Sequence, residues 1–164
     1  MNNQTVKSNL DDCKQELNNI SNLCTLMGMS SNVIPYLTNY TIIKACGSIE
    51  RAFKDIISDY CINNTTSLEV RNYIEKTFRE SSMNPNLSNI CKSLNNLNPT
   101  WKTNFNSQLN ANTNAARYKS SISSLVESRN NFAHGNNPTA SIQNVVTYFD
   151  DSYEIMKILD NIVN

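Results

Sequence analysis

The chain has 164 residues, 39% of them hydrophobic, and a formal net charge of zero. That is enough length for one domain with a real core, expected to span residues 1–164. The first residues, MNNQTVKSNLDDCKQEL, lack the basic start and apolar run of a signal peptide, and no stretch is long and apolar enough for a membrane span. The expectation is a soluble, cytoplasmic protein.

Three Gly and four Pro leave little punctuation, so long periodic segments dominate. In the first, Val6, Leu10, Cys13, Leu17, Ile20, Cys24 and Met27 recur at steps of three and four, predicting an amphipathic helix over 1–28 that stops near Gly28. Such a stripe can pack inside a domain or zip two subunits together, and its modest length favours the former. A second helix is expected from Asn32–Pro35 to about Cys61, with Leu37, Ile42, Ile43, Cys46, Ile49, Phe53, Ile56, Ile57 and Tyr60 as its apolar positions. Pro35 suits a first turn, where its missing N–H has no helical partner. Thr66-Ser67-Leu68-Glu69 fits a capping box opening a third helix through Val70, Ile74 and Phe78.

Ser81–Asn86 breaks the pattern. A shorter helix is expected from Leu87 to about Leu97, then a short turn from Asn98-Pro99 carrying Trp101 and Phe105, and a polar loop over 106–114. Two clear helices close the chain. One carries Ala115, Tyr118, Ile122, Leu125, Val126, Arg129 and Phe132 and ends at Gly135. The other follows Pro138 and carries Ile142, Val145, Val146, Phe149, Tyr153, Met156, Leu159 and Val163. No alternating strand pattern is present, so the fold class is all-α, a bundle of about five to six helices.

Charge is unevenly spread. Residues 81–149 hold five cations against the single acid Glu127, whereas residues 150–164 hold Lys157 against four acids. The basic stretch could meet phosphates, although scattered solvated charges explain it equally well. Cys13, Cys24, Cys46, Cys61 and Cys91 are odd in number and lack Cys-x-x-Cys spacing, and the chain has one His, so neither a metal site nor a cofactor is expected. Dispersed within apolar patterns, most of these thiols read as small buried residues of a reducing compartment.

The chemistry concentrates in Leu125-Val126-Glu127-Ser128-Arg129-Asn130-Asn131-Phe132-Ala133-His134-Gly135. On a helix, residues five apart project within ~140° of each other, so Arg129 and His134 can share one site. Arg offers a permanent cation and a fork of donors to a phosphate, and His transfers protons near neutral pH. Together they suffice for cleavage of RNA by its own 2′-OH, the His as base and the Arg stabilising the charged transition state. Asn130 could hold the Arg or bind substrate. Against this, a His-Gly pair at a helix end also has a purely structural use, capping carbonyls at the negative end of the dipole.

The string Arg129-Asn130-x-x-Ala133-His134-Gly135, preceded by Leu125-Val126 and followed by a Pro and an amphipathic last helix, resembles the signature of the HEPN superfamily. Its nearest branch is the RiboL-PSP-HEPN and MAE-type proteins of prokaryotic defence and toxin systems. Gly47-Ser48-Ile49-Glu50-Arg51-Ala52-Phe53 and Asn98-Pro99-x-Trp101 extend the similarity, which spans about residues 33–163. The resemblance implies a helical bundle, usually a homodimer with two Arg/His motifs facing each other, and a metal-independent endoribonuclease acting as a toxin or defence effector. By the same resemblance Arg129 and His134 are catalytic, with Asn130 supporting and Glu50 a weaker supporting candidate from the neighbouring helix. Lys119 and Arg117, in the basic stretch, are candidates for binding substrate. Expected partners are RNA, a second copy of the chain, and an antitoxin or a larger defence component. HEPN toxins silenced by a nucleotidyltransferase carry Tyr two places beyond the His. Here that position is Asn136, so silencing of that kind is not expected. Two other readings stay open: a non-catalytic HEPN subunit of a larger complex, and a helical adaptor whose His only caps.

Overall fold

The computed structural model describes residues 1–28, 31–136 and 140–164. Within them the secondary structure is entirely helical, in seven α-helices: α1 (Gln4–Met27), α2 (Ile34–Asn63), α3 (Leu68–Ile74), α4 (Leu87–Leu97), α5 (Pro99–Ala111), α6 (Ala115–Ala133) and α7 (Ile142–Val163). A π-helical turn, Glu75–Arg79, continues α3. The all-α expectation holds, with a helix or two more than expected. The predicted Pro138 break lies outside the described residues.

Long-range bonds define the topology. Asn3 reaches Asp59 while Glu16 pairs with Lys44, so α1 and α2 are antiparallel. Lys14 pairs with Asp150 and Tyr153 donates to Asp11, which sets α7 antiparallel to α1. Arg117 and Ser121 both bond Asp151, while Asn131 lies with Ala140 and Asn144 around one small cavity, which sets α6 antiparallel to α7. Thus α1 and α6 run one way and α2 and α7 the other, while α3 to α5 form the crossover. The C-terminal ends of α1 and α6 therefore share one end of the bundle with the N-terminal ends of α2 and α7.

The core lies along α2 and α7. Ile42, Ala45, Ile49, Phe53, Ile56 and Ile57 of α2 are fully buried, as are Val145, Phe149, Ile155, Met156 and Leu159 of α7. Val6, Leu10, Cys13 and Leu17 of α1 and Ile122 and Leu125 of α6 close the same cluster. From Val6 to Cys24 the α1 stripe thus packs within the chain, while Met27 at its end is exposed. Asp160 is also fully buried, and its carboxylate is satisfied by the backbone N–H groups of Asn2 and Asn3 and by Asn164 Nδ2. A carboxylate removed from water needs such donors, and these fasten the two chain ends together.

Three local expectations need correction. The capping residue of α3 is Ser67, whose Oγ accepts from Val70 N at 3.2 Å, so the helix starts one residue later than a box built on Thr66 requires. The segment 106–114 is not a loop throughout, because α5 continues to Ala111. It is capped by Asn98, whose Oδ1 accepts from Thr100 N at 3.0 Å, and anchored by Phe105, Leu109 and the edge-on packing of Trp101 against Tyr60. Third, Ile43, Val70 and Phe132, which share the apolar periodicity, are exposed in the monomer.

Candidate functional site

The end of α6 is built by its sequence. Gly135 takes φ +79°, a conformation in which a Cβ would be strained, and three backbone bonds close the helix there. His134 N donates to Asn130 O at 3.0 Å, Gly135 N to Phe132 O at 3.0 Å, and Asn136 N to Asn131 O at 2.9 Å. The last two bonds are the paired pattern of a Schellman cap. Backbone amides therefore cap the helix. Among the described residues the His134 ring has no hydrogen-bond partner, and the residue is exposed. A His whose ring does the capping would show the opposite arrangement.

One turn earlier, Arg129 is half-buried and donates from Nη1 to Asn130 Oδ1 at 3.3 Å. Asn84 Nδ2 reaches the same oxygen from the segment before α4, at 3.4 Å. The Arg129 charge also reaches Cys46 of α2. Burial pushes the Cys46 thiol up to about 11, while the Arg129 cation lowers it and the Glu50 carboxylate raises it. Cys46 and Glu50 are four residues apart on one helix face, so the Arg129 charge acts on the α2 face that carries Glu50.

Glu50 is already occupied. Its carboxylate bonds Lys54 Nζ at 3.0 Å and accepts from Met83 N at 3.1 Å, and Lys54 also donates to Ser81 O at 2.5 Å. Together the pair ties the 81–84 segment to α2 and holds Asn84 against Asn130. Arg117 and Lys119 lie elsewhere. Twelve and ten residues before Arg129 on α6, they stand about 18 and 15 Å away along the helix axis. Arg117 is bound by Asp151 at 3.0 Å and Lys119 by Asn110 at 2.5 Å. Within one chain, then, Arg129 and Asn130 meet the 83–84 segment that Glu50 holds, His134 stands exposed at the end of the same helix, and Arg117 and Lys119 do not join them.

Asn84 and Cys46 are the neighbours that sequence reasoning missed. Asn84 stands in a segment legible only as a break before Pro85, and Cys46 was legible only as a core thiol.

The family model described as RiboL-PSP-HEPN matches residues 7–164, nearly the whole chain. This chain belongs to that family, one of the HEPN type. No curated protein and no solved structure shows significant similarity to it. HEPN membership supports a nuclease or other RNA-related role, and HEPN domains often act as dimers. Among the described residues no helix is long and apolar enough to cross a membrane.

Proposed function

We propose that the protein is a metal-independent endoribonuclease, a toxin or phage-defence effector, with Arg129 and His134 as its catalytic groups. One observation carries this: the helix end is capped by its own backbone, and among the described residues the exposed imidazole has no hydrogen-bond partner and Arg129, five residues earlier, has no carboxylate partner. His134 takes the proton of a ribose 2′-OH, the oxygen attacks the adjacent phosphorus, and the 5′-oxygen leaves and is protonated. Arg129 stabilises the charge that builds on the phosphoryl oxygens. The products are a 2′,3′-cyclic phosphate and a 5′-OH. Asn130 holds the guanidinium through its Oδ1, and Glu50 acts at one remove by fastening the 81–84 segment.

The active form is a homodimer in which the two α6 ends face a shared cleft. Supporting this, the same end of the bundle exposes Leu26 at 86% and Tyr36 at 73%, together with Met27 and Phe132. Large apolar side chains clustered on a surface mark a contact region.

The test is cleavage of single-stranded RNA in EDTA by the wild type and by His134→Ala. Metal-free cutting that the substitution abolishes supports the proposal, and cutting that requires a divalent ion or survives the substitution refutes it. A net charge of zero favours the second reading, a non-catalytic HEPN subunit of a larger defence complex, since long RNA is then held weakly. Stoichiometric co-purification with a larger partner, with no RNA cut by the complex, would establish it.

A further inference from the structure

Between the α3–π-turn segment and α4 runs a cleft of about 300 Å³, at the small end of ligand-site volumes (~300–1,000 Å³). Its floor is apolar, with Phe78 and Met83 packed against the core. Tyr73 stands at its edge, 66% exposed, a large aromatic face turned to solvent. Asn89, Lys92 and Asn96 line the α4 side. Among the described residues, Lys92 has no carboxylate partner, and the side-chain amide of Asn96 and the Oδ1 of Asn89 have no hydrogen-bond partner. An aromatic face, an apolar floor, free amides and one unpaired cation form a composition suited to a base and its phosphate. A purely apolar partner segment would leave those amides and Lys92 unsatisfied.

The cleft also connects to the α6 end. Asn89 Nδ2 donates to Asn84 O at 2.9 Å, and Asn84 Nδ2 donates to Asn130 Oδ1 beside Arg129. Met83, in the floor, is the next residue to Asn84. Asn84 thus links the cleft to the Arg129 motif through two hydrogen bonds, so one single-stranded RNA could reach both.

We propose that this cleft is a subsite for an unpaired nucleobase of the RNA that meets Arg129 and His134. The base lies over Phe78 and Met83 against Tyr73, Asn89 and Asn96 bond its edge, and Lys92 meets a flanking phosphate. The site rests on the ribonuclease reading above and deepens it, because it selects a single-stranded substrate whose bases can leave the stack.

The experiment uses the full chain with two measurements. Binding is followed with 2′-O-methyl oligoribonucleotide octamers of each base, which lack the nucleophile and stay intact, through fluorescence anisotropy and the ¹³C-methyl signal of Met83. Cleavage of unmodified RNA is followed in parallel for the wild type, Tyr73→Ala, Lys92→Ala and His134→Ala. The expected result is a shifted Met83 signal and, in Tyr73→Ala, binding weakened ~5- to 150-fold, the scale of one stacked base. KM rises by a similar factor while kcat stays within about threefold, a split that general destabilisation would not produce. Lys92→Ala lowers affinity for all four octamers alike and flattens its salt dependence.

A silent Met83 signal with wild-type binding in Tyr73→Ala overturns the subsite, even where His134→Ala abolishes cleavage and the ribonuclease reading stands. Cleavage that His134→Ala leaves unchanged refutes that reading. The Met83 and Tyr73 responses then decide separately whether the cleft holds a base. A change in sedimentation mass for Tyr73→Ala identifies the cleft as a contact between copies and also overturns the proposal.

Discussion

Two arginines show how one side chain serves opposite ends. Arg79, at the close of the π turn, bonds Asp55 at 2.9 Å, Asp59 at 2.6 Å and Glu75 at 2.9 Å. Its position follows from the i→i+5 bond between Glu80 N and Glu75 O, which inserts an extra residue into the turn and aims the guanidinium at α2. Among the described residues Arg129 has one neutral acceptor, Asn130, and the exposed His134 follows five residues on. A guanidinium saturated by carboxylates is a structural clamp and has little left to offer a phosphate. One held by an amide keeps its full charge and most of its donors for an incoming anion. Partners, not residue type, separate the two.

The largest expected effect tests that contrast on activity. Arg129→Ala and His134→Ala should each lower RNA cleavage by ~10²-fold or more. Their thermal unfolding should stay close to wild type, because the α6 cap is made by backbone bonds. Circular dichroism melts run beside the cleavage assay check both halves, and a His134→Ala that melts as early as a core variant would break the contrast.

Packing gives the next scale. Leu125, fully buried on α6, should cost ~2–5 kcal/mol as Leu125→Ala. Phe132, on the same stripe, is 37% exposed, so Phe132→Ala should lower monomer stability by much less and act on self-association instead. Urea unfolding with sedimentation distinguishes the two.

Arg79→Ala should destabilise by ~1–3 kcal/mol. It leaves the buried Asp55 facing only exposed Arg51, and the partial exposure of Arg79 keeps the loss below the full cost of a broken buried pair. RNA cleavage per folded molecule should be unchanged. Were Arg79→Ala to abolish cleavage while remaining folded, the clamp assignment would be wrong.

The smallest effect concerns Cys46 beneath Arg129. Its folded thiol is raised from 9.0 to about 11, chiefly by burial, so the unfolded chain loses this proton first as pH rises. The stability is present below pH 9 and drains away between pH 9 and 11. Between pH 8 and 10 the wild type should lose roughly 1 kcal/mol more than Cys46→Ala, measured by urea unfolding at both pH values. Equal losses would place the thiol outside the buried α2–α6 contact.

Helix positions were legible wherever apolar spacing was dense. The seven-residue stripe of α1 and the Gly28 stop match Gln4–Met27, and α4 runs from Leu87 to Leu97 as expected. α5 was less legible because its polar half offers only Phe105 and Leu109 as buried anchors within 13 residues. Helix continuation there depends on the Asn98 cap and on packing, which a sparse pattern does not reveal. Phe132 shares the α6 period but stands in the last turn, beyond the helices that cover Leu125. For the site, Arg129, Asn130 and His134 could be named because a single helix sets their spacing, whereas Asn84 could not.

The amino-acid sequence by itself determined the helical class, the stripes that bury α1, α2, α6 and α7, and the Gly135 stop that presents His134. These follow from 3.6-residue periodicity and from backbone conformations open to only a few residues, both of which act within a few neighbours along the chain. Tertiary structure alone decided which charges were consumed. Lys54 takes Glu50, Asp151 takes Arg117, three acids take Arg79, and among the described residues Arg129 keeps only an amide. Arg117–Asp151, Arg79–Asp55 and Arg79–Asp59 join residues 20 or more positions apart, and whether such a cation is spent on folding or left for a ligand depends on what the bundle brings within about 3 Å of it.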